Sequence, residues 1–272
     1  MLINCFRFEI YLMNDEIIIK TPKQIENIRK SWKYLNELLM KLYHSAKAGI
    51  SLVQLEEIAE DYMKKNNIKW AFKWYQWFPA NLCLSVNDCV VHGIPDNYVL
   101  KNGDLLKIDC GVNFQWWITD SAITVPIWWE AHNPLWFKLT KETKFALDQW
   151  IKKIAHWKKI FEYSHEVYHH MKNKWFSIIE KLTGHGVGVK VHEKPHIHNY
   201  PHKDTKKINF QSWMVLAFEP ITAISSNDFV TRKWSDWNLY CKNGDLWAHR
   251  EYTILVTEDG YEILSGITED LF

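Results

Sequence analysis

The segment LLKIDCGVNFQWWITDSAI, residues 105–123, decides how this chain is interpreted. It holds two β-like runs joined by the turn-like NFQW, and each run carries one aspartate, Asp109 or Asp120. If the runs pair as a hairpin centred near Phe114 and Gln115, the two carboxylates face each other across the strands. Facing aspartates without a Lys or Arg partner repel, so they share a proton or hold a cation, unless they are simply exposed. We favour a bound cation.

The composition is that of a globular chain with balanced charge. Of the 272 residues, 47% are hydrophobic, which is enough for a substantial core. Lys plus Arg number 33 and Asp plus Glu number 32, which favours neither a nucleic-acid partner nor an acidic disordered tail. No run approaches the roughly twenty apolar residues of a membrane span. We therefore expect no nucleic acid and no membrane among the partners.

The cysteines and the N-terminal sequence favour the cytoplasm. The five cysteines are odd in number and form no C-x-x-C pair, which argues against a disulfide framework and against a structural zinc finger. Residues 1–16 contain an apolar run broken by Arg7 and Glu9 and no small-residue cleavage site, so they make a poor signal peptide. Met13 is an alternative start, and residues 1–12 are then a non-native or disordered extension.

The chain shows the same order of elements twice. In the first half, Thr21-Pro22 and the capping box of Ser51 and Gln54 each open an amphipathic helix, and short β-type runs follow from residue 75 to residue 125.

In the second half, helices are predicted to begin at Thr140 and Ser164, and β-like segments follow again. No low-complexity linker separates the halves, about residues 20–133 and 134–265. We predict one α+β catalytic domain over residues 13–272 with internal pseudo-symmetry.

Four side chains of the second half suit metal binding or acid–base work. They are His185 in GHGVG, His192 in VHEKP, Glu219 in AFEP and Glu251 in HREYT. Both glutamates lie in apolar β-type segments, where an ionised carboxylate is costly unless something compensates its charge. Each residue alone also fits a structural or surface role, so the interpretation depends on their joint occurrence. With Asp109 and Asp120, the two glutamates bring the number of candidate carboxylates to four. Four carboxylates and one imidazole suit two divalent ions such as Mn, Fe, Co or Zn better than a tetrahedral structural zinc.

The motifs NDCVVHGIP, KIDCGV, TDSA, GHGVG, VHEKP, AFEP and EYT occur in the order and spacing of the type I methionine aminopeptidases. The chain resembles this family from about Met13 to Ile267. The resemblance implies the pita-bread fold, two pseudo-symmetric halves with a central curved antiparallel sheet backed by helices. It also implies removal of the N-terminal methionine by a metal-bridging hydroxide that attacks the first peptide bond. The interval from His192 to Glu219 leaves no room for the insertion typical of type II enzymes.

The family's functional residues map onto this sequence position by position. The implied ligands of two divalent ions (Co, Mn, Fe or Zn) are Asp109, Asp120, His185, Glu219 and Glu251, with Asp120 and Glu251 bridging. Glu219 also relays a proton, His92 lies near the scissile amide, and His192 contacts the substrate carbonyl. The implied methionine pocket consists of Tyr75, Phe78, Cys83 and Trp237. The histidines of HIHNYPH, which are His196, His198 and His202, are interpreted as surface residues instead.

The resemblance also defines partners and alternatives. The expected substrates are nascent polypeptides with N-terminal methionine and a small second residue, which the enzyme meets as a monomer, in contact with or near the ribosome. One alternative is an aminopeptidase of the Xaa-Pro or prolidase type, although such enzymes carry an extra N-terminal domain. The other is a non-catalytic pita-bread binding protein, although such proteins lack several of the ligands.

Four positions near the predicted ligands depart from the commonest family pattern. HREYT has His249 and Tyr252 where Gln and His are usual, and Ile118-Thr119 replaces His-Gly before the second aspartate. None of these changes removes a ligand. Each alters side chains that orient the ligands and tune the metal, so activity could be shifted.

Tryptophan is more frequent than glycine, 16 residues against 10, whereas glycine is usually about 7% of a globular chain. Eight tryptophans stand where the family has glycine: Trp32, Trp74, Trp77, Trp116, Trp150, Trp157, Trp175 and Trp213. Glycine supplies a backbone with φ > 0, which costs tryptophan about 1–3 kcal/mol at each site. Eight such costs would rival a total stability of about 5–15 kcal/mol.

We hypothesise that the source reads UGA as glycine and that the sequence was written with a code that reads UGA as tryptophan. Five more residues are assigned to the same set: Trp128, Trp129, Trp136, Trp234 and Trp247. Glycine at all thirteen positions would raise its count from 10 to 23. Trp117 and Trp237 suit genuine aromatic side chains. The chain as written is predicted to fold poorly and to have its pocket blocked near Trp77; the alternative is a lineage with tryptophan-rich loops.

Overall fold

The computed structural model describes residues 16–127, 134–232 and 235–267. The predicted extension 1–12 and the residues Trp128, Trp129 and Trp234 lie outside this part of the chain. The α-helices are α1 Pro22–Ser45, α2 Leu52–Lys65, α3 Pro134–Trp150 and α4 Ile160–Asn173. The strands are β1 Lys69–Trp70, β2 Leu82–Val86, β3 Leu105–Phe114, β4 Trp117–Pro126, β5 Ser177–Ile178, β6 Thr183–Gly186, β7 Glu193–His198, β8 Val215–Phe218, β9 Ile221–Ala223, β10 Phe229–Arg232, β11 Ser235–Cys241, β12 Trp247–His249, β13 Tyr252–Val256 and β14 Tyr261–Ser265.

The helix starts of the first half lie where they were predicted. Thr21 caps α1, since its Oγ1 accepts from the Gln24 amide while the Gln24 side chain accepts from the Thr21 amide at 2.7 Å. Ser51 and Gln54 form the same reciprocal box at the start of α2. Each box satisfies two backbone amides at the helix start that have no partner within the helix, and Pro22 at the first position of α1 has no amide hydrogen to satisfy.

The helix starts predicted at Thr140 and Ser164 are wrong. Both residues lie inside helices, Thr140 six residues after Pro134 at the start of α3 and Ser164 four residues after Ile160 at the start of α4. Thr140 Oγ1 donates to the Trp136 carbonyl at 3.0 Å, and Ser164 Oγ donates to the Ile160 carbonyl at 3.2 Å. A hydroxyl can bond to the carbonyl four residues earlier within a helix as well as cap one, so its presence alone does not locate a helix start.

Two antiparallel sheets dominate the described residues. One contains β1, β3 and β2 in that order, with β4 also paired to β3, and the other has the order β14-β13-β8-β6-β7. β12-β9-β5 and β10-β11 form smaller sheets. The two large sheets join side by side at β4 and β13: the Glu251 amide donates to the Ala122 carbonyl at 2.9 Å, and Thr253 Oγ1 donates to the Asp120 carbonyl at 2.7 Å.

Helices cover these sheets through their apolar faces. Leu35, Leu38, Leu39 and Leu42 of α1 are fully buried in one core cluster with residues of α2, β2, β3 and β4. A second cluster joins α3 and α4 to β8 and β13. The helices and sheets pack through apolar side chains in these two clusters. Polar residues lie instead in the pocket where β4 meets β13.

The hairpin predicted around Phe114 and Gln115 exists, but its predicted register is wrong. Phe114 pairs with Trp117, so the turn residues are Gln115 and Trp116, and Asp120 lies opposite Gly111 while Asp109 lies opposite Ala122. The two aspartates are therefore diagonal neighbours on one face. Both turn residues have positive φ, 52° and 75°, as a two-residue type I′ turn requires.

Six tryptophans adopt the left-handed backbone conformation that glycine favours. They are Trp74, Trp77, Trp116, Trp157, Trp175 and Trp213, with φ between 66° and 76°. All six belong to the eight at which the sequence predicts glycine. Trp32 and Trp150 are not in this conformation, and neither are Trp136 and Trp247, which are buried at 4% and 0% exposure.

Candidate metal centre

The five predicted ligands line one pocket at the junction of the sheets. Asp109 and Asp120 come from the β3–β4 hairpin and His185 from β6, while Glu219 directly follows β8 and Glu251 directly precedes β13. Ligand atoms of Asp120, His185 and Glu251 lie within 4.8 Å of one another, and all three side chains are buried. Ligand residues that are far apart along the chain but close together in the folded protein form a metal site only when the chain folds.

Glycines on either side of His185 allow its strand to pack closely. A Cβ atom on Gly184 would lie 2.4 Å from the Ala217 carbonyl oxygen, and one on Gly186 would lie 2.4 Å from the Lys194 oxygen. The His185 Nδ1–H donates to the Gly186 carbonyl at 2.9 Å. Because that proton is on Nδ1, the Nε2 atom is free of hydrogen and faces Glu219 Oε1 at 3.4 Å.

The electrostatics of the centre favour a cation. Burial is the main cause that raises the pKa of Asp109 to about 7, and it raises the pKa of Asp120 and of Glu251 well above the usual range. Neighbouring carboxylates add to this rise. Within the described part of the chain, one buried oxygen of each of these three residues makes no hydrogen bond. Orphaned buried oxygens from several carboxylates are the donor set that a divalent ion satisfies, so these residues fit a metal.

His249 is a member of the centre that the sequence did not place there. Its Nε2 lies 3.3 Å from Glu219 Oε2, and its ring lines the same pocket. The sequence showed it only as a departure from the family pattern. Tyr252, the other departure in HREYT, is buried in the core, where its hydroxyl donates to Asp148 Oδ1 at 2.8 Å. Tyr252 directly follows Glu251, and successive residues of an extended segment point to opposite faces, so Glu251 lines the pocket while Tyr252 packs into the core.

The two predicted catalytic histidines also line this pocket. Burial lowers the pKa of His92 to about 4 and that of His192 well below its usual value, so both rings are neutral at pH 7. The His192 Nδ1 lies 3.2 Å from the Tyr75 hydroxyl, and the rings of His192 and His185 are 4.4 Å apart. His92 has φ of 57°, a strained conformation that is most common at functional sites.

The apolar side of the pocket contains the predicted methionine-binding residues, Tyr75, Phe78, Cys83 and Trp237. Phe78 and Trp237 pack edge to face with ring centroids 5.3 Å apart. Cys83 is buried and free. The prediction that Trp77 blocks this pocket is wrong: its side chain is 80% exposed and is not part of the lining, because the positive φ of Trp77 turns it to solvent.

The histidines of HIHNYPH are only partly the surface residues that were expected. His196 lines the pocket. His198 and His202 are half-buried and stack with ring centroids 4.0 Å apart. With Asp204 they form a second group of ligand atoms within 4.8 Å, outside the pocket.

None of the helices in the described ranges has the length and apolar character needed to span a membrane.

Comparison with known proteins shows the family to which this chain belongs. Residues 26–258 match the model of metallopeptidase family M24. The methionine aminopeptidase of Clostridium acetobutylicum is 33% identical over 252 residues, which cover 92% of this chain and 98% of that protein. Methionine aminopeptidase 1 of Bacillus subtilis is also 33% identical, over 92% of this chain and 100% of that protein.

Solved structures show the same relationship. The crystal structure of methionine aminopeptidase from Thermotoga maritima has a TM-score of 0.87 and 32% identity, and the match covers 93% of this chain and 100% of that one. A prolidase from Pyrococcus furiosus has a TM-score of 0.72 at 21% identity, covers 92% of this chain and 66% of that one, and so shows the shared fold alone. These matches confirm the predicted pita-bread fold and the resemblance. The chain belongs to the methionine aminopeptidases of metallopeptidase family M24, which are metal-dependent hydrolases.

Proposed function

We propose that this chain removes the N-terminal methionine from nascent proteins and peptides, with two divalent ions held by Asp109, Asp120, His185, Glu219 and Glu251. The observation that carries the proposal is the joint position of these five side chains beside one apolar pocket. When bound, two ions supply a water of lowered pKa and polarise the scissile carbonyl. Co, Mn, Fe and Zn all suit this donor set.

The protein residues position and protonate the substrate. Glu219 is the proposed proton acceptor, because its carboxylate lies in the pocket beside the other proposed ligands and can relay a proton to the leaving group. If the Tyr75 hydroxyl donates to His192 Nδ1, the proton of that ring is on Nε2, which can donate to the oxyanion of the scissile carbonyl. Neutral His92 stabilises the leaving amide nitrogen.

The apolar pocket selects the first residue. Phe78, Cys83 and Trp237 offer an aromatic and sulfur-lined surface that suits an unbranched thioether side chain. We expect substrates with a small second residue. The proposed setting is the cytoplasm, where a monomer meets chains at or near the ribosome.

The test is release of methionine from the peptide Met-Ala-Ser by protein loaded with manganese, iron or cobalt. The protein used carries glycine in place of the six tryptophans with positive φ, at positions 74, 77, 116, 157, 175 and 213. Asp109→Asn is the control, and it should reduce the rate at least about 100-fold, because it removes a ligand rather than a group that orients one.

The alternatives give other results in the same assay. Cleavage of Xaa-Pro peptides without release from Met-Ala-Ser would indicate a prolidase-type enzyme. Metal binding without hydrolysis of either substrate would indicate a binding protein.

A further inference from the structure

His249, on β12, is buried at 2% exposure, yet neither of its ring nitrogens makes a hydrogen bond among the described residues. Its neighbour in the centre, His185, has Nδ1 satisfied by a carbonyl. A buried imidazole with two unsatisfied nitrogens is costly, and a metal ion bound to one of them removes the cost at that nitrogen. The ring therefore requires a partner that protein atoms do not supply.

The position of the ring points to the partner. The carboxylate of Glu219 lies between two imidazoles, with His185 Nε2 at 3.4 Å from Oε1 and His249 Nε2 at 3.3 Å from Oε2. The two histidines thus flank the same ligand on opposite oxygens.

We propose that His249 is a sixth protein ligand of the metal centre, so that one ligating imidazole lies beside each oxygen of the Glu219 carboxylate. The proposal rests on the proposed two-metal site. A second nitrogen donor favours Zn, Co and Fe over Mn more strongly than an oxygen-rich set with one imidazole does. The competing role is positioning, in which His249 only donates a hydrogen bond to Glu219.

X-ray absorption of the zinc-loaded protein counts the imidazoles bound per pair of ions. We expect two in the unaltered protein and one in His249→Gln, whose amide can still hydrogen-bond to Glu219. His249→Gln should also lose about tenfold or more in zinc affinity, with a smaller loss for manganese. His44→Gln, an exposed histidine at the end of α1, is the matched control and should change neither quantity.

One imidazole per pair in the unaltered protein would overturn the proposal, and this measurement needs no variant to fold. Equal imidazole counts in the unaltered protein and His249→Gln would overturn it as well. The outcome is separable from the proposed function: two imidazoles without release of methionine would reject the peptidase activity and leave His249 as a ligand.

A second inference comes from the six left-handed tryptophans. Their side chains are between 41% and 89% exposed, so burial compensates only part of their backbone strain. Two of them also make ring contacts: Lys69 Nζ lies 4.2 Å from the Trp116 ring centroid, and the His156 and Trp157 rings are 4.6 Å apart. Trp116 and Trp117 make the contrast within one dipeptide. Trp116 occupies the type I′ turn at φ of 75° and is 73% exposed, whereas Trp117 begins β4 and is half-buried against a core cluster.

We infer that glycine occupies positions 74, 77, 116, 157, 175 and 213 in the natural protein, through UGA codons translated as glycine. Codons at these six positions should be UGA, and those for Trp117 and Trp237 should be UGG. Peptide mass spectrometry of the protein from its natural source should show glycine at the six and tryptophan at the two controls. Tryptophan at any of the six would overturn the inference for that position, and UGG codons at all six would overturn it entirely.

Discussion

Trp175 shows at the scale of one residue what a left-handed backbone requires. It follows α4, and two hydrogen bonds close the helix end: Trp175 N donates to the Lys172 carbonyl and Phe176 N donates to the Met171 carbonyl. This is the Schellman motif, in which the residue at the position of Trp175 is usually glycine. At 89% exposure the indole contributes almost no burial in return.

Trp175→Gly should therefore stabilise the chain as written by about 1 kcal/mol, the cost of a left-handed conformation for a residue with a Cβ atom. Urea unfolding followed by circular dichroism would measure the change. Trp70→Gly is the matched control, because Trp70 is 45% exposed in β1 with an ordinary backbone, and that change should destabilise. Equal effects at both positions would contradict the prediction.

Residue types identified the candidate ligands from the sequence, but not their relative positions. Two aspartates eleven residues apart define a hairpin, and the choice of its turn fixes the register. A type I′ turn usually contains Asn-Gly, whereas the turn residues here are Gln115 and Trp116. The sequence therefore predicted the turn one residue too early, and the predicted register was wrong. His249 was missed as a pocket residue for a different reason: a histidine in an apolar strand does not reveal which face it occupies until its neighbours are placed.

At the scale of elements, a buried ion pair attaches the start of α1 to the start of β7. Lys20 Nζ lies 2.5 Å from Glu193 Oε2, and both side chains are 1% exposed. Glu193 Oε1 also accepts from the amides of Val189 and Lys190, at 2.7 and 2.9 Å. Burial lowers the pKa of Lys20, and the charge of Glu193 opposes that effect.

Lys20→Met should destabilise the fold by about 3–5 kcal/mol, because it leaves the Glu193 carboxylate buried without its counter-charge. Thermal and urea unfolding would measure the loss. The control is Arg29→Met, which breaks the exposed pair of Arg29 and Glu262 and should cost less than about 1 kcal/mol. The double change Lys20→Met with Glu193→Gln should recover part of the loss; if it is as unstable as Lys20→Met alone, the uncompensated charge is not the cause.

For the whole molecule, the centre makes stability depend on pH and metal together. In metal-free protein the pKa of Asp109 is raised to about 7 by burial, whereas it is about 3.9 in an unfolded chain. The stability from protonated Asp109 is complete below the unfolded value and is lost as the pH rises through about 7. A bound divalent ion compensates the carboxylates that have lost their protons.

The increase in Tm that excess manganese produces over excess chelator should therefore be larger at pH 8 than at pH 5.5. Differential scanning fluorimetry at the two pH values measures it. In Asp109→Asn, which does not titrate, the contribution of this carboxyl should disappear and the two increases should become more similar. An increase that is the same at both pH values in the unaltered protein would contradict the prediction.

The overall architecture could be predicted because helix caps, β-type runs and motif order repeat along the chain and match one family. How the sheets meet could not. The contact of β4 with β13 depends on hydrogen bonds between residues about 130 positions apart, such as Ser121 Oγ to the Glu251 carbonyl at 2.6 Å. No local pattern reports such a pairing. The pseudo-symmetry of the halves remains a prediction.

The junction of β4 and β13 also links the reactive centre to local unfolding. The amides of Asp120 and Glu251 are bonded across it, the first to Thr253 Oγ1 at 3.1 Å and the second to the Ala122 carbonyl. Any fluctuation that opens these bonds to hydrogen exchange also separates two residues of the centre. Slow hydrogen exchange at these two amides would therefore report an assembled site. Thr253 does not line the pocket, yet loss of its hydrogen bonds to Asp120 would separate residues of the centre.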